Sequence, residues 1–385
     1  MNSTDSTSIR TNTTSAGNIF SVETKIGLIS AYIIIFILAL FGNSIGLYVV
    51  CSKKPSRRIT DLLIKNMAIA DLIFALTITP TSLLHLNFGG NPWFGGTVGH
   101  ITCKTVFYAI PVSIFASVAT LTIISFDRFC AIYFPLSQAL FHKHKTITAI
   151  IWLIALITMT PYLLLFQVSK EGEQYSCYQE WPWADDVMAS YLALRTFHVI
   201  SFVFMYALPL LIIAVVNCLV ARRVWFHKTP GNTTSFNRTS AEVTRRRVVK
   251  MLTIIVVVFA LCWLPTYVNH YLMFFQRHVW DKIPIVVKYL TFWVSHANSA
   301  VNPLLYITFN RNFRYAFMDA ASRLFASPVR AFSTCMAYVM GEQSTSDLHP
   351  QNELPVKPRQ YSAFRVAPAK TGTRNGTGKT RETRL

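Results

Sequence analysis

Seven long, mostly apolar stretches constrain this chain more than any other feature. They cover residues 26–51, 62–86, 103–133, 146–168, 189–224, 248–275 and 283–309. A helix needs about 20 consecutive, mainly apolar residues to cross the hydrocarbon core of a bilayer. The expectation is therefore an all-α integral membrane protein built as a seven-helix bundle. Composition agrees. Hydrophobic residues make up 52 % of the 385 and charged residues 14 %, against roughly 25 % charged in soluble domains. That balance argues against a soluble enzyme.

The net charge of +19 raises nucleic acid as a partner, but the basic residues lie between apolar blocks and in the last third. Lys53, Lys54, Arg57 and Arg58 follow the first span, Lys143 and Lys145 the third, and Arg222, Arg223, Arg245, Arg246 and Arg247 separate the fifth from the sixth. This pattern fits bilayer orientation and contact with anionic membrane lipid, not nucleic acid. Loops rich in Lys and Arg stay cytoplasmic, so the N-terminus is expected outside and the C-terminus inside.

Four segments follow: an extracellular tail (1–25), the seven-span body (26–309), a short amphipathic surface helix (310–325) and a disordered cytoplasmic tail (326–385). The first 18 residues are polar and lack a signal-peptide pattern, so the first span is expected to act as its own insertion signal. Sequons at Asn2 and Asn12 fall in the outer tail and are expected to carry sugar. Those at Asn232, Asn237 and Asn375 fall inside and are expected to stay bare. Past the seventh span, Phe313, Phe317 and Leu324 share one helical face, with Arg311, Arg314 and Arg323 suiting the polar side, as in a helix lying in the membrane surface. The polar, basic tail beyond it holds candidate phosphosites (Ser344, Thr345, Ser346, Thr371, Thr373, Thr377 and Thr380) and a lone Cys335, a candidate for palmitoylation. It ends Glu382-Thr383-Arg384-Leu385; Thr383 and Leu385 stand where a PDZ-domain ligand carries its hydroxyl and terminal aliphatic residue.

Cys103, at the outer end of the third span, and Cys177, in the outer loop between the fourth and fifth, both face an oxidising compartment. A disulfide between them is expected, the alternative being two free thiols. The same loop carries Glu171, Glu173, Glu180, Asp185 and Asp186 with Trp181 and Trp183. It reads either as an ordinary solvated loop or as an attractor for a cationic ligand with apolar groups.

Asp71 lies mid-span among Ala68, Ile69, Ala70, Leu72 and Ile73. A carboxyl at that depth costs on the order of 3 kcal/mol to insert, so it marks a functional candidate. Asn43, Ser117, Asn298, Ser299 and Asn302 lie at matching depth. One carboxylate among neutral oxygens suits a Na⁺ ion or a hydrogen-bond network without one. Pro80, Pro111, Pro161, Pro209, Pro265 and Pro303 each remove a backbone donor and can kink their span.

Taken in order, these features resemble a rhodopsin-like (class A) G-protein-coupled receptor, and most closely its neuropeptide receptors. The matching residues are Gly42-Asn43, Ala68 with Asp71, Trp93-Phe94-Gly95, the two cysteines, Asp127-Arg128-Phe129, Trp152, Pro209, Phe259-x-x-Cys262-Trp263-x-Pro265 and Asn298-Ser299-x-x-Asn302-Pro303-x-x-Tyr306. The resemblance implies a non-enzymatic switch without a cofactor, Na⁺ aside as an allosteric ion. Ligand would bind in the outer half, at Ile110, Ile114, Trp263, Thr266, Tyr267, His270, Phe292 and His296, with Glu180 and Asp185 at the mouth. Phe259, Trp263 and Pro265 would couple the pocket to movement of the sixth span. Asn302, Pro303 and Tyr306 would rearrange with Asp71, exposing Arg128, beside Asp127, to a heterotrimeric G protein. Arrestin and a receptor kinase would meet the cytoplasmic tail.

Departures bear on the switch. Thr244-Arg245-Arg246-Arg247 offers no acid to hold Arg128 from the sixth span, and Asn217 stands where many relatives carry a tyrosine. Ile110 stands where amine receptors carry an aspartate, and His296 where opsins carry the retinal lysine. A basic, amidated neuropeptide is the expected ligand, with a lipid or other small molecule as the alternative. An ion-coupled secondary transporter is the remote alternative; it would call for internal repeats, and none is found.

Overall fold

The computed structural model describes residues 20–52, 59–134, 144–184, 186–226, 235–309 and 311–326. All belong to the first of two units into which the chain divides, Met1–Glu342. The sequons at Asn2 and Asn12, Asp185, Cys335 and the end of the chain with Thr383 and Leu385 lie outside the described residues.

Helices dominate because a backbone in hydrocarbon must satisfy its own N–H and C=O groups. The spans are α1 (Val22–Ser52), α2 (Ile59–Phe88), α3 (Gly96–Tyr133), α4 with α5 (His144–Thr158, Pro161–Leu165), α6 with α7 (Val187–Phe202, Leu208–Phe226), α8 (Ser235–Phe275) and α10 (Ile285–Phe309). The one-turn α9 (Arg277–Trp280) connects the last two, and α11 (Arg311–Ala326) follows. Six spans are long and apolar enough to cross a bilayer by length and composition. The seventh, α10, is long enough but more polar, because it buries Lys288, Ser295, His296, Asn298, Ser299 and Asn302.

Threonines inside apolar helices cost little here. The hydroxyls of Thr77, Thr105, Thr122, Thr158, Thr196 and Thr253 donate to the carbonyl four residues back on their own helix. The prolines act locally. Pro161 opens α5 after α4 has stopped. Pro209 cannot donate to the carbonyl of Met205, and a π-helical turn, Val203–Ala207, absorbs the mismatch between α6 and α7.

Helix α1 packs on α2 and α10, α2 on α3, α3 on α4 and α7, α7 on α8, and α8 on α10. Polarity is inverted relative to a soluble protein. Asn43, Asn66, Asp71, Thr120, Asn298 and Asn302 are buried, while Ile34, Leu76, Leu153, Leu211 and Leu261 face outward. The fourth span ends earlier than its hydropathy suggests. Phe166–Val168 continue the apolar run but enter a β-strand.

That strand, β2 (Phe166–Glu171), pairs antiparallel with β3 (Gln174–Gln179), which also pairs with β1 (Pro92–Trp93). Gly172 turns the hairpin with φ +60°, a conformation that suits glycine. The Cys103–Cys177 disulfide ties β3 to α3, and Phe166 stacks on Phe107 of α3 at 4.3 Å. At the opposite end, α11 lays Phe313 against Tyr306 and Phe317, while Tyr315 and Met318 stay exposed. The side chain of Leu324 lies outside the described set.

Candidate functional site

Near the disulfide end, a cavity of about 480 Å³ opens between the helices, within the roughly 300–1,000 Å³ typical of ligand pockets. Helix α3 contributes Phe107, Ile110, Pro111 and Ile114; α5 and β2 contribute Tyr162 and Phe166; the fifth span contributes His198, Phe202 and Met205. Helix α8 supplies the longest wall, from Phe274 through His270, Tyr267 and Thr266 to Trp263, about 17 Å of helix. The lining contains no Asp, Glu, Lys or Arg; the wall is mainly aromatic and aliphatic, with Ser201, Thr266 and two histidines.

Of the pocket residues expected from the sequence, Ile110, Ile114, Trp263, Thr266, Tyr267 and His270 line this cavity. The Thr266 hydroxyl already donates to the carbonyl of Thr291 (2.9 Å), tying α8 to α10. Phe292 and His296 are not part of the lining. Phe292 backs His270 at 5.6 Å, and His296 packs deeper, against Tyr32 and Phe74. Glu180 stands past the end of β3 and accepts from the Tyr178 hydroxyl. Asp186 caps α6 by accepting from the backbone N–H of Ala189. These two loop acids are therefore engaged locally and lie off the cavity wall.

The sequence reading missed Phe107, Tyr162, Phe166, His198, Phe202 and Met205. Five of them sit in apolar runs or at their edges, where periodicity alone does not mark the inward face. His198 carried a usable signal, a histidine at membrane depth, the same signal that marked His270.

Trp263 joins the cavity to the centre of the bundle. Its ring lies 6.1 Å from Phe259, 6.1 Å from Phe74 and 6.3 Å from Tyr267. Two residues on, Pro265 interrupts the hydrogen bonding of α8. Across the gap, the Tyr206 hydroxyl of the π-helical turn donates to the carbonyl of Ala260 (2.9 Å).

Deeper still, Asn302 donates to Asp71 (2.9 Å). Asn43 donates to the carbonyls of Ala39 and Ser299, and Asn66 bridges Thr120 and Trp152. Ser117 and Asn298 are also buried. A Cβ on Gly42 would meet Pro303 at 2.9 Å, so this glycine sets the approach of α1 to α10. The Tyr306 hydroxyl lies 3.1 Å from the Met67 sulfur. At the far end Arg128 pairs with Asp127 at 3.3 Å. Arg246 of α8 is exposed. The Asn217 side-chain amide nitrogen is buried without a partner among the described residues.

A family profile described as "7 transmembrane receptor (rhodopsin family)" matches residues 42–306. The chain is 30 % identical to the RYamide receptor of Tribolium castaneum over 302 residues, 75 % of this chain and 79 % of that receptor. It is 30 % identical to the neuropeptide FF receptor 1 of Rattus norvegicus over 313 residues, 76 % of this chain and 69 % of that one. Against the galanin receptor type 2 of Rattus norvegicus, identity is 29 % over 325 residues, 83 % of each chain.

Proposed function

The chain belongs to the rhodopsin family of seven-transmembrane receptors, and from that premise we propose that it binds an extracellular neuropeptide-like ligand and activates heterotrimeric G proteins. The family is one of receptors, not enzymes. The observation that carries the peptide reading is the cavity itself. It is mainly apolar and aromatic-walled, it closes on Trp263, and a β-hairpin flanks it. Its volume suits the last few residues of a peptide. An amidated, aromatic or aliphatic end would occupy it, leaving basic residues of the ligand to the hairpin acids outside. Receptors named for RYamide, neuropeptide FF and galanin support the same class.

The switch works by differential contact. A ligand that packs better against one placement of Trp263 shifts the population toward it. The Pro265 kink turns that displacement into movement of α8 at the Arg128 end. Arg128 then leaves Asp127 and meets the G protein. In this reading the disulfide end is extracellular and the Arg128 end cytoplasmic. Helix α11 lies on the cytoplasmic membrane surface, and the tail beyond it serves a receptor kinase, arrestin and a PDZ-domain protein. Asp71, Ser117, Asn298 and Asn302 offer hard oxygen donors suited to Na⁺, and only Asn302 donates a hydrogen bond to the buried Asp71 carboxylate among the described residues. Those residues would hold the ion.

The test is G-protein dissociation in cells expressing the chain and, in parallel, Arg128→Ala. Pools of amidated peptides, lipids and small metabolites are applied separately. The expected result is a peptide response that is lost in Arg128→Ala while peptide binding persists. A lipid-only response would replace the peptide class, and full signalling by Arg128→Ala would remove that residue's role.

A further inference from the structure

His198 of α6 and His270 of α8 lie side by side on the cavity wall. Their ring centroids are 5.4 Å apart and the rings are inclined at 54°. A zinc–imidazole bond of about 2.0–2.1 Å puts each centroid roughly 3.2 Å from the metal, so two imidazoles at a tetrahedral angle have centroids roughly 5.2 Å apart. The pair is thus spaced for one ion.

The hydrogen bonding points the same way. His198 Nδ1 lies 2.8 Å from the carbonyl of Leu194. A carbonyl only accepts, so Nδ1 carries the proton and Nε2 keeps its lone pair. Fixing one ring nitrogen on a backbone carbonyl is the usual way a metal-binding histidine is oriented. His270 touches the rings of His198 and Phe292 and makes no hydrogen bond among the described residues. Nothing there competes for its nitrogens.

We propose that His198 and His270 form a two-histidine site for a borderline-soft divalent ion, Zn²⁺ above all, bridging the fifth and sixth spans inside the ligand cavity. Nitrogen ligands without carboxylates disfavour Ca²⁺ and Mg²⁺. Two coordination positions remain open toward the cavity, for water or for a donor brought by the ligand. An ion held there fastens the fifth span to the sixth above Trp263, restraining the motion that the switch requires. Metal binding stands independently of the receptor reading; only this modulatory consequence rests on it.

The test uses the purified full chain in detergent, with Zn²⁺ alone as the probe. Thermal unfolding is followed across a Zn²⁺ titration for the wild type, His198→Gln, His270→Gln and the double variant. Stabilisation of the wild type at micromolar Zn²⁺ is expected, with no such shift from Mg²⁺. Each single variant should lose at least about tenfold in apparent Zn²⁺ affinity, and the double variant should lose no more than that. An equal Zn²⁺ shift in all four proteins would place the ion elsewhere and overturn the proposal. So would the absence of a shift in the wild type. Should the variants fold poorly, Co²⁺ added to the wild type decides. A visible d–d absorption of tetrahedral nitrogen–oxygen character, displaced by Zn²⁺, is expected, and its absence refutes the site. Neither readout involves a peptide or a G protein, so failure here and failure of the receptor reading are separable.

Discussion

At the residue scale, the legible positions were polar atoms at the wrong depth. Asp71, Asn43 and Asn302 declared themselves because hydrocarbon offers a carboxyl or amide no water, leaving only other polar groups of the protein as partners. The structure brings Asp71 and Asn302 within 2.9 Å and turns Asn43 to the backbone of α10. Phe107, Phe202 and Met205 were opaque for the complementary reason. In a span that is apolar all round, the lipid-facing and cavity-facing side chains are chemically alike. One prediction belongs here. If Na⁺ sits at Asp71, replacing Na⁺ with choline should lower the thermal stability of the wild type, and Asp71→Asn should abolish the difference. A salt effect that survives in Asp71→Asn would assign the ion to another site.

At the scale of elements, hydropathy located the helices but not their interruptions. The π-helical turn left no mark in the sequence beyond Pro209, because a proline is equally compatible with a kink, a bulge or a helix start. That turn aims Tyr206 at the Ala260 carbonyl. A single hydrogen bond of this kind contributes about 1 kcal/mol, roughly fivefold in a two-state population. Tyr206→Phe should therefore raise basal signalling severalfold with the agonist maximum retained, measured as ligand-free G-protein dissociation at matched surface density. Unchanged basal output would mean that the bond exists in both states. The hairpin was half legible. Its cysteines announced the cross-link, while Phe166–Val168 read as the end of a helix because strand and span share apolar residues. Cys177→Ser should reduce surface expression or ligand affinity, read by surface labelling and binding isotherms. Wild-type values for both would leave the hairpin without a role in shaping the cavity.

At the scale of the whole molecule, seven apolar runs and the uneven placement of Lys and Arg were enough to give the architecture. The relative rotation of each helix was not available, since it follows from contacts such as Gly42 against Pro303 that join residues 261 apart. Orientation yields the remaining prediction. With the N-terminus outside, Asn2→Gln together with Asn12→Gln should remove the glycosidase-sensitive mass of the expressed receptor, seen as a gel shift. Sugar retained after both substitutions would point to Asn232, Asn237 or Asn375 and reverse the topology. The hairpin also has a consequence in time. Phe166 is at once the start of that flap and part of the cavity wall, stacked on Phe107 and held beside a covalent cross-link. On the proposed function, a ligand seated behind it would leave only as fast as that corner of the molecule breathes. The duration of a signal would then be set by a few residues of loop, and its initiation by the helices.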